Sequence, residues 1–425
     1  MSTDTSTVTP EQLAAARKAV VSSSIGAALE WFDIIVYASF AVVIAENFFP
    51  AGDETLGLIL TFATFAISYL IRPLGGMLIG SYGDRFGRKK ALTFTLLLMM
   101  VGTAIMAVAP THALVGAWAG VIILISRVVQ GFSAGGEFGT ATTFLVETAP
   151  HRKAYYASWQ VAAQGISMFL ASAFGFVLFE TLTKDQLYTW GWRIPFFIGI
   201  LIGPIGLYIR AHLTETDEFT QSTPHKTPIR AVFTEHLGRL LTGAACIGVA
   251  TISIYLILYM PTFAVKSLDI PADAAYLGGV VAGLVILVGT PFVGMLADRV
   301  GAVRVMTWGA IAALVVAWPL FQLIISRPSV PVFVLVIGLL GVIAALYFGP
   351  LPALLTEIYP SEVRTTGVSV AYNIGVTVMG GFAPLALTWL LDVTGSLNAP
   401  SLYYIVVAVI SLVGLWFARV RYDSR

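Results

Sequence analysis

Long apolar runs, separated by short stretches rich in charge, proline or glycine, recur along the whole 425-residue chain. Several of these runs reach the ~20 residues that a helix needs to cross the hydrocarbon core of a bilayer. Only 11% of the residues are charged and 57% are hydrophobic, whereas a soluble chain has roughly 25% charged residues. The sequence therefore predicts a protein embedded in a membrane.

The boundaries of the apolar runs predict twelve transmembrane helices, which we number as spans 1 to 12 in chain order. They lie near residues 20–48, 56–82, 91–109, 114–146, 154–181, 191–211, 240–264, 273–297, 303–325, 331–356, 363–391 and 401–419. The longest polar connection lies at the midpoint of the chain. The prediction is an all-α membrane protein of two pseudo-symmetric six-helix bundles, with a tail at 1–19, bundles at 20–211 and 239–419, a linker at 212–238 and a tail at 420–425.

The distribution of lysine and arginine predicts which side of the membrane each connection occupies. An even number of spans places both termini on one side, and eighteen basic residues fall on that side against three, Lys184, Lys266 and Arg327, on the other. Cytoplasmic connections carry the excess of positive charge. The N-terminus also lacks the features of a cleaved secretory signal. We expect a multi-pass protein of the inner (plasma) membrane with both termini and the linker in the cytoplasm.

Two stretches of the first half recur in the second half. Gly80 and Asp84 follow span 2, and Gly294 and Asp298 follow span 8 with the same spacing, 214 residues further on. Span 4 ends at Glu147 and span 10 in a similar stretch 210 residues later. Two stretches that recur at nearly the same distance along the chain, 214 and 210 residues, indicate an internal repeat. Their charged residues predict a latch that holds the cytoplasmic side closed; its candidate gating residues are Gly80, Asp84, Arg85, Gly87, Arg88, Glu147, Asp298, Arg299, Glu357 and Arg364.

The motifs around these residues resemble those of a known family. The stretch GSYGDRFGRK at residues 80–89 is similar to the signature of the major facilitator superfamily. Five further segments resemble its metabolite:proton symporters, which carry citrate, other di- and tricarboxylates, shikimate, and osmolytes such as proline and betaine. They are LEWFDIIVYASF (29–40), RPLGG (72–76), RVVQGFSAGGEFG (127–139), WGWRIPFF (190–197) and AYN (371–373). The resemblance implies a secondary transporter that works by alternating access.

Ionisable residues within the spans are costly in hydrocarbon and are therefore candidates for function. Glu30 and Asp33 lie three residues apart on one face of span 1, which continues to Tyr37. Arg127 in span 4 needs a carboxylate, and Asp33 is the expected partner. Proton-coupled sugar porters of the same superfamily pair an Asp and an Arg at these places. That resemblance implies that Asp33 takes up the proton beside Arg127, with Glu30 as the alternative.

Other polar residues within the spans predict the substrate site. Arg72 could bind a carboxylate through two parallel hydrogen bonds, or extend to the cytoplasmic surface. Glu137 fits packing or gating as well as coupling. Arg193 lies beside Trp190 and Trp192, two aromatic residues typical of the membrane interface, and fits anchoring there. The candidate substrate-binding residues are Tyr37, Arg72, Arg127, Gln130, Gln160, Gln164, Tyr372 and Asn373.

The balance of embedded charge indicates an anionic substrate. Arg72, Arg127 and Arg193 oppose Glu30, Asp33 and Glu137, so protonation of one acid leaves one arginine for an anion. Gln160 and Gln164 lie in a stretch that resembles the citrate and tricarboxylate carriers. We expect the protein to import citrate or tricarballylate together with protons. A dicarboxylate such as 2-oxoglutarate is the second choice of substrate, and an osmolyte or shikimate is the third. Sodium is the alternative coupling ion.

Other functional classes find little support in the sequence. The five histidines fall in loops or at the ends of spans, and Cys246 is the single cysteine. No spacing of His, Cys, Asp or Glu predicts a metal site, a cofactor or a catalytic constellation. The net charge of +1 gives no case for binding nucleic acid. We therefore expect a transporter that functions as a monomer in the lipid bilayer, not an enzyme.

Overall fold

Helices form all the regular structure in the computed structural model, which describes residues 10–49, 54–215, 220 and 228–424. Eleven of the twelve spans given below, all except span 11, are long and apolar enough to cross a bilayer. A helix suits such sequences because it satisfies the backbone N–H and C=O groups within the segment. The first six spans are span 1 (Pro10–Ser39), span 2 (Glu54–Phe86), span 3 (Arg88–Val108), span 4 (Trp118–Thr148), span 5 (Lys153–Thr181) and span 6 (Ile194–Ala211).

The second half repeats this order with three interrupted spans. Span 10 breaks at Gly349 and Pro350, where proline removes a backbone donor. The prediction of one continuous helix over 363–391 is wrong, because span 11 contains a π turn. The spans are span 7 (Leu237–Cys246 and Gly248–Leu268), span 8 (Ala272–Val300), span 9 (Ala302–Ser326), span 10 (Val330–Phe348 and Leu351–Ile358), span 11 (Arg364–Val376, the π turn Thr377–Gly381 and Ala383–Thr394) and span 12 (Ala399–Tyr422).

The ends of the spans differ from the predicted boundaries. Span 1 begins at Pro10, inside the predicted tail, and a separate helix, Ala41–Phe48, replaces its predicted end. The predicted linker contains a short helix, Pro228–Thr234. The rest of that linker at 216–219 and 221–227, residues 1–9 of the N-terminal tail and residue 425 lie outside the described residues. Other short elements are His112–Val115, Lys184–Thr189 and the 3-10 turns Pro150–Arg152, Gly191–Arg193 and Ser361–Val363.

Glycines allow the spans to approach at backbone distance. A Cβ atom added to Gly135 of span 4 would lie 2.8 Å from the backbone nitrogen of Gly76 in span 2. One added to Gly165 of span 5 would lie 2.7 Å from the carbonyl oxygen of Gly283 in span 8. Small residues permit such close packing in membranes. The first contact joins spans 2 and 4 within the first half, and the second joins the two halves.

The two ends of the bundle are named below by the chain termini. The terminal face is the end where span 1 begins and span 12 finishes, and the far face is the opposite end. Gly87 and Gly301 precede spans 3 and 9 on the terminal face, with φ angles of 111° and 99°. These angles favour glycine over residues with a side chain. The same backbone device in both halves supports the predicted internal repeat.

Candidate functional site

Asp33 and Arg127 form a buried ion pair between spans 1 and 4. Arg127 Nη2 lies 2.7 Å from Asp33 Oδ2, and both side chains are 2% exposed. Thr103 of span 3 donates a hydrogen bond of 3.2 Å to Asp33 Oδ1, and Gln130 donates one of 3.2 Å to the Thr103 hydroxyl. The Arg127 guanidinium lies 4.2 Å from the centre of the Tyr37 ring. The structure therefore contains the predicted contact and surrounds it with polar groups.

Glu30 and Arg72 form a second buried pair, between spans 1 and 2. Arg72 Nη2 lies 3.2 Å from Glu30 Oε1, so Glu30 and Asp33 serve different arginines although they lie on one helix face. Arg72 is 2% exposed, which excludes the alternative that it extends to the surface in this conformation. Its Nε and Nη1 atoms have no hydrogen-bond partner in the described part of the chain. Two donors of this guanidinium are therefore available to a ligand.

Tyrosines from both halves surround Arg72. Its guanidinium lies 4.2 Å from the centre of the Tyr69 ring. Tyr69 packs edge to face against Tyr255 of span 7, with ring centres 5.6 Å apart. Arg72 therefore lies where the two halves meet.

Glu137 pairs with Arg210, one of the eighteen basic residues that the sequence placed on the cytoplasmic side. Arg210 is fully buried and binds Glu137 through both Nη atoms. Thr95 of span 3 donates to the same carboxylate. The pair lies against span 1, because a Cβ atom added to Gly26 would collide with both Arg210 and Glu137. A charge buried this deeply needs a partner of opposite charge. The third arginine that pairs with an acid within the spans is therefore Arg210, beside Arg72 and Arg127, and not Arg193.

Breaking this inner pair is expected to destabilise the protein strongly. Glu137→Met leaves the Arg210 guanidinium buried without its carboxylate, a loss of about 3–5 kcal/mol in the free energy of unfolding. Adding Arg210→Met removes the stranded charge and should recover most of that loss. Unfolding in mixed detergent–SDS micelles measures both variants. A single variant as stable as the unmodified protein would show that the pair contributes little to the fold.

Arg193 has a structural position at the far-face end of span 6. Its two Nη atoms each donate a 2.8 Å hydrogen bond, one to the carbonyl of Ala107 and one to that of Ala109. The guanidinium also lies 4.4 Å from the centre of the Trp192 ring. These contacts fit the predicted anchoring better than a role in charge balance.

The predicted amide and tyrosine ligands divide into bound and available groups. Gln160 bonds Thr142 and the carbonyl of Phe138, which fixes it between spans 4 and 5. Both amide atoms of Gln164, which is 3% exposed, have no partner in the described residues. Tyr372 stacks flat on Phe138, with ring centres 3.5 Å apart.

Asn373 spans the boundary between the halves. Its amide nitrogen donates 2.6 Å to the carbonyl of Gly135 in span 4 and 2.7 Å to that of Ser369 in its own helix. Two further amide and hydroxyl candidates are partly engaged: the Oε1 atom of Gln130 has no partner in the described chain, and the Tyr37 hydroxyl lies 2.6 Å from Thr64 Oγ1. Asn373 is thus placed to join spans 4 and 11.

The duplicated aspartates bind helix N-termini of the opposite half. Asp84 accepts hydrogen bonds of 3.2 and 2.8 Å from the backbone N–H groups of Thr365 and Thr366 at the start of span 11. Asp298 accepts bonds of 2.9 and 3.0 Å from residues 154 and 155 at the start of span 5. Helix N-termini carry unsatisfied donors and partial positive charge. Each aspartate therefore joins the halves at the terminal face.

Glu147 adds a charged contact beside Asp84. It lies 3.2 Å from Arg88 of span 3 and 3.3 Å from Arg364 of span 11, so it also crosses between the halves. Arg88 is buried although it lies in the predicted loop. Gly80 packs closely on span 11, where an added Cβ atom would lie 3.0 Å from Thr366 Cα. The remaining gating candidates have exposed side chains at the same face: Arg85, Arg299 and Glu357.

Sequence reasoning missed a third carboxylate of this kind. Glu215, after span 6, accepts hydrogen bonds of 3.1 and 3.2 Å from the backbone N–H groups of Arg88 and Lys89 at the start of span 3. Asp84 and Asp298 could be singled out from the sequence only because the stretch that contains them repeats. Glu215 lies in the linker, and no echo in the second half marks it.

Comparisons with known proteins agree with this architecture. Residues 19–238 match the family described as "Sugar (and other) transporter", and residues 279–425 match "Major Facilitator Superfamily". The citrate-proton symporter of Klebsiella pneumoniae is 37% identical over 399 residues, 93% of this chain and 90% of the relative. The proline/betaine transporter of Salmonella typhimurium is 34% identical over 417 residues, 93% of this chain and 82% of the relative.

The fold also matches a solved structure. The proton:xylose symporter XylE bound to 6-bromo-6-deoxy-D-glucose aligns with a TM-score of 0.80 at 18% identity, covering 96% of this chain and 95% of that one. The similarity covers both halves and confirms the resemblance indicated by the sequence motifs. The chain therefore belongs to the major facilitator superfamily of multi-pass membrane transporters.

Proposed function

We propose that this protein imports a small organic acid together with protons, by alternating access between its two halves. The observation that carries the proposal is Arg72, buried between the halves with Nε and Nη1 unbound by the described residues. A guanidinium edge is suited to a carboxylate because two parallel N–H donors match its two oxygens. Gln164, with its free amide, is the proposed second polar ligand.

Asp33 is the proposed proton site, and Glu30 is the alternative. Protonating Asp33 removes the negative charge that balances Arg127, 2.7 Å away. The freed guanidinium then favours an anion nearby or a rearrangement of span 4. The local charge balance supports this coupling: Arg72, Arg127 and Arg210 pair with Glu30, Asp33 and Glu137, so one added proton leaves one uncompensated positive charge among these pairs.

The terminal face is the proposed cytoplasmic gate. Asp84, Asp298 and Glu147 join the halves there, and the excess of lysine and arginine on this side supports a cytoplasmic location for both termini. Rocking of the halves would replace these contacts with water and release the cargo inward. The far face would stay closed while this gate is open.

The substrate proposed first is citrate or a similar tricarboxylate. The name of the Klebsiella relative supports this choice. A dicarboxylate such as 2-oxoglutarate would use the same guanidinium with fewer charges, and is proposed second.

A zwitterionic osmolyte is the second candidate class, and one observation favours it. Aromatic rings lie around Arg72: Tyr255 packs against Tyr69, and the Trp31 ring centre lies 6.4 Å from that of Tyr255. Aromatic faces attract quaternary ammonium groups, while Arg72 would take the carboxylate. The name of the Salmonella relative agrees with this class.

Uptake into proteoliposomes tests the proposal. Purified protein is given an inward proton gradient and, separately, labelled citrate, 2-oxoglutarate, glycine betaine, proline and shikimate. We expect one organic acid to accumulate above its external concentration, and a protonophore to abolish the accumulation. Replacing sodium with potassium tests the coupling ion.

Each outcome selects a class. Accumulation of glycine betaine or proline in place of an acid would favour the osmolyte candidate. Dependence on sodium would reject proton coupling. Flux that only equilibrates each compound would contradict a symporter and favour a facilitator or channel.

A further inference from the structure

A carbonyl in span 2 lacks its usual helical partner. Pro73 lies inside Glu54–Phe86, and proline has no backbone N–H. In an α-helix the carbonyl of residue i accepts from the N–H of residue i+4, so the carbonyl of Tyr69 has no donor in its own helix. A backbone acceptor buried away from water must find a donor elsewhere.

That donor comes from the opposite half. Thr377 of span 11 donates its hydroxyl to the Tyr69 carbonyl at 3.0 Å and is itself 7% exposed. Thr377 is the first residue of the π turn Thr377–Gly381. A π turn is rare and is found frequently at functional sites. Two helix irregularities in different halves therefore meet in one hydrogen bond.

The rest of the π turn packs on the tyrosines beside Arg72. A Cβ atom added to Gly381 would lie 3.0–3.1 Å from Tyr69, and one added to Gly380 would lie 2.7–2.8 Å from the ring of Tyr255. The two glycines let the turn approach both rings. The turn therefore covers the Arg72 site from the far face, since Tyr69 precedes Arg72 on the chain descending from that face.

Span 11 is held to the first half at three heights. At the terminal face Asp84 binds its N-terminus, further along Asn373 bonds the carbonyl of Gly135, and next comes Thr377 on Tyr69. Opening the far face while Asp84 stays bound requires span 11 to bend beyond Asn373. The π turn, which begins at Thr377, is the break in its α-helical ladder on that side of Asn373.

We infer that the hydrogen bond from Thr377 to the carbonyl left free by Pro73 is the closing contact of the far-face gate, and that the π turn is its hinge. When the far face opens, water takes over the Tyr69 carbonyl. The inference rests on the proposed alternating access, but not on the identity of the substrate.

Distances between spin labels test the inference without any ligand. Cysteines replace Leu114 and Thr394, two exposed far-face residues of opposite halves, in a Cys246→Ser background. Double electron–electron resonance in nanodiscs gives the ratio of molecules with an open far face to molecules with a closed far face, which we call the ratio below. We expect Thr377→Val to raise that ratio by up to about tenfold, the size of one net hydrogen bond. Pro73→Ala should raise it similarly, because alanine supplies a competing donor.

The double variant distinguishes a shared hydrogen bond from two separate effects. In the Pro73→Ala background, Thr377→Val should change the ratio by less than about twofold, since both substitutions remove the same contact. Full multiplication of the two effects would overturn the inference. If Pro73→Ala does not fold, Thr377→Ser, which keeps the hydroxyl, decides: it should retain the original ratio.

A matched control and a deletion complete the test. Thr307→Val removes a hydroxyl that, among the described residues, bonds only within span 9, to the carbonyl of Val303, and should leave the ratio unchanged. A response equal to that of Thr377→Val would overturn the inference. Deleting Val378, which is 64% exposed, removes one residue from the π turn and should lower the open fraction at least threefold. An unchanged open fraction would reject the hinge. Failure of citrate uptake, by contrast, would reject the proposed cargo alone.

Discussion

Asp33→Asn is expected to abolish proton-driven accumulation of substrate while preserving exchange of internal for external substrate. The amide keeps the size of the carboxylate but takes up no proton, so the carrier behaves as permanently loaded. A gradient of one pH unit stores about 1.4 kcal/mol per proton, enough for about tenfold accumulation at one proton per substrate. In the variant the ratio of internal to external substrate should fall to about one. Labelled uptake and counterflow in the same proteoliposomes measure both activities.

Glu30→Gln provides the comparison for Asp33→Asn. Glu30 lies on the same face of span 1 and also pairs with a buried arginine, so general damage to span 1 should affect both variants alike. Loss of exchange together with accumulation in Asp33→Asn would indicate a structural role. Normal accumulation in Asp33→Asn, with its loss in Glu30→Gln, would assign proton coupling to Glu30.

Arg72→Lys is expected to weaken substrate binding by about ten- to a hundredfold. Lysine can retain a charge near Glu30, but it cannot present the second edge of a planar guanidinium, whose Nε and Nη1 are free of described protein partners. A lost charge-assisted hydrogen bond is worth about 1.5–3 kcal/mol. The dissociation constant of the substrate identified by uptake is measured by isothermal titration calorimetry or by a scintillation proximity assay.

The control for this substitution is Arg193→Lys. Arg193 is another arginine of the first half, and its guanidinium donates hydrogen bonds to the carbonyls of Ala107 and Ala109. We expect little change in affinity there. Equal affinity in Arg72→Lys and the unmodified protein would remove Arg72 from the substrate site and would leave Gln164 and the tyrosines as the remaining candidates.

The sequence was sufficient for the features that follow from hydrophobicity and repetition. Apolar runs marked the spans, and the 214-residue echo marked Asp84 and Asp298 as equivalent. The contact of Asp33 with Arg127 was predictable because an embedded arginine requires a carboxylate and resemblance supplied the pairing. These arguments need only one-dimensional spacing and the cost of charge in hydrocarbon.

The remaining features depend on contacts that spacing does not encode. Arg210 lies at the predicted cytoplasmic end of a span, so a residue that pairs with Glu137 looks from the sequence like a determinant of topology. The π turn is marked only by adjacent glycines, Gly380 and Gly381, which also suit ordinary helix packing. The bond from Thr377 to Tyr69 joins residues 308 positions apart. The sequence shows Pro73, which leaves the Tyr69 carbonyl without its helical donor, but it does not show that the Thr377 hydroxyl bonds this carbonyl.

The buried pairs and the gates form one arrangement in this account. Asp33 and Glu30 lie one helical turn apart on span 1, beside Arg127 and Arg72, in the middle of the first half. Asp84 and its equivalents join the halves on the terminal face, and the π turn joins them on the far side of Arg72. Protonation and substrate binding at the centre would therefore shift the balance between two sets of contacts that cannot both open at once.

The most direct test of proton coupling is a proton count made during transport. Unbuffered proteoliposomes containing the unmodified protein receive the transported substrate without any imposed gradient, and an external pH electrode records proton movement alongside labelled uptake. The account predicts that the medium becomes more alkaline in a fixed ratio to substrate uptake, and that Asp33→Asn exchanges substrate without this signal. Substrate uptake by the unmodified protein with no accompanying proton uptake would contradict it.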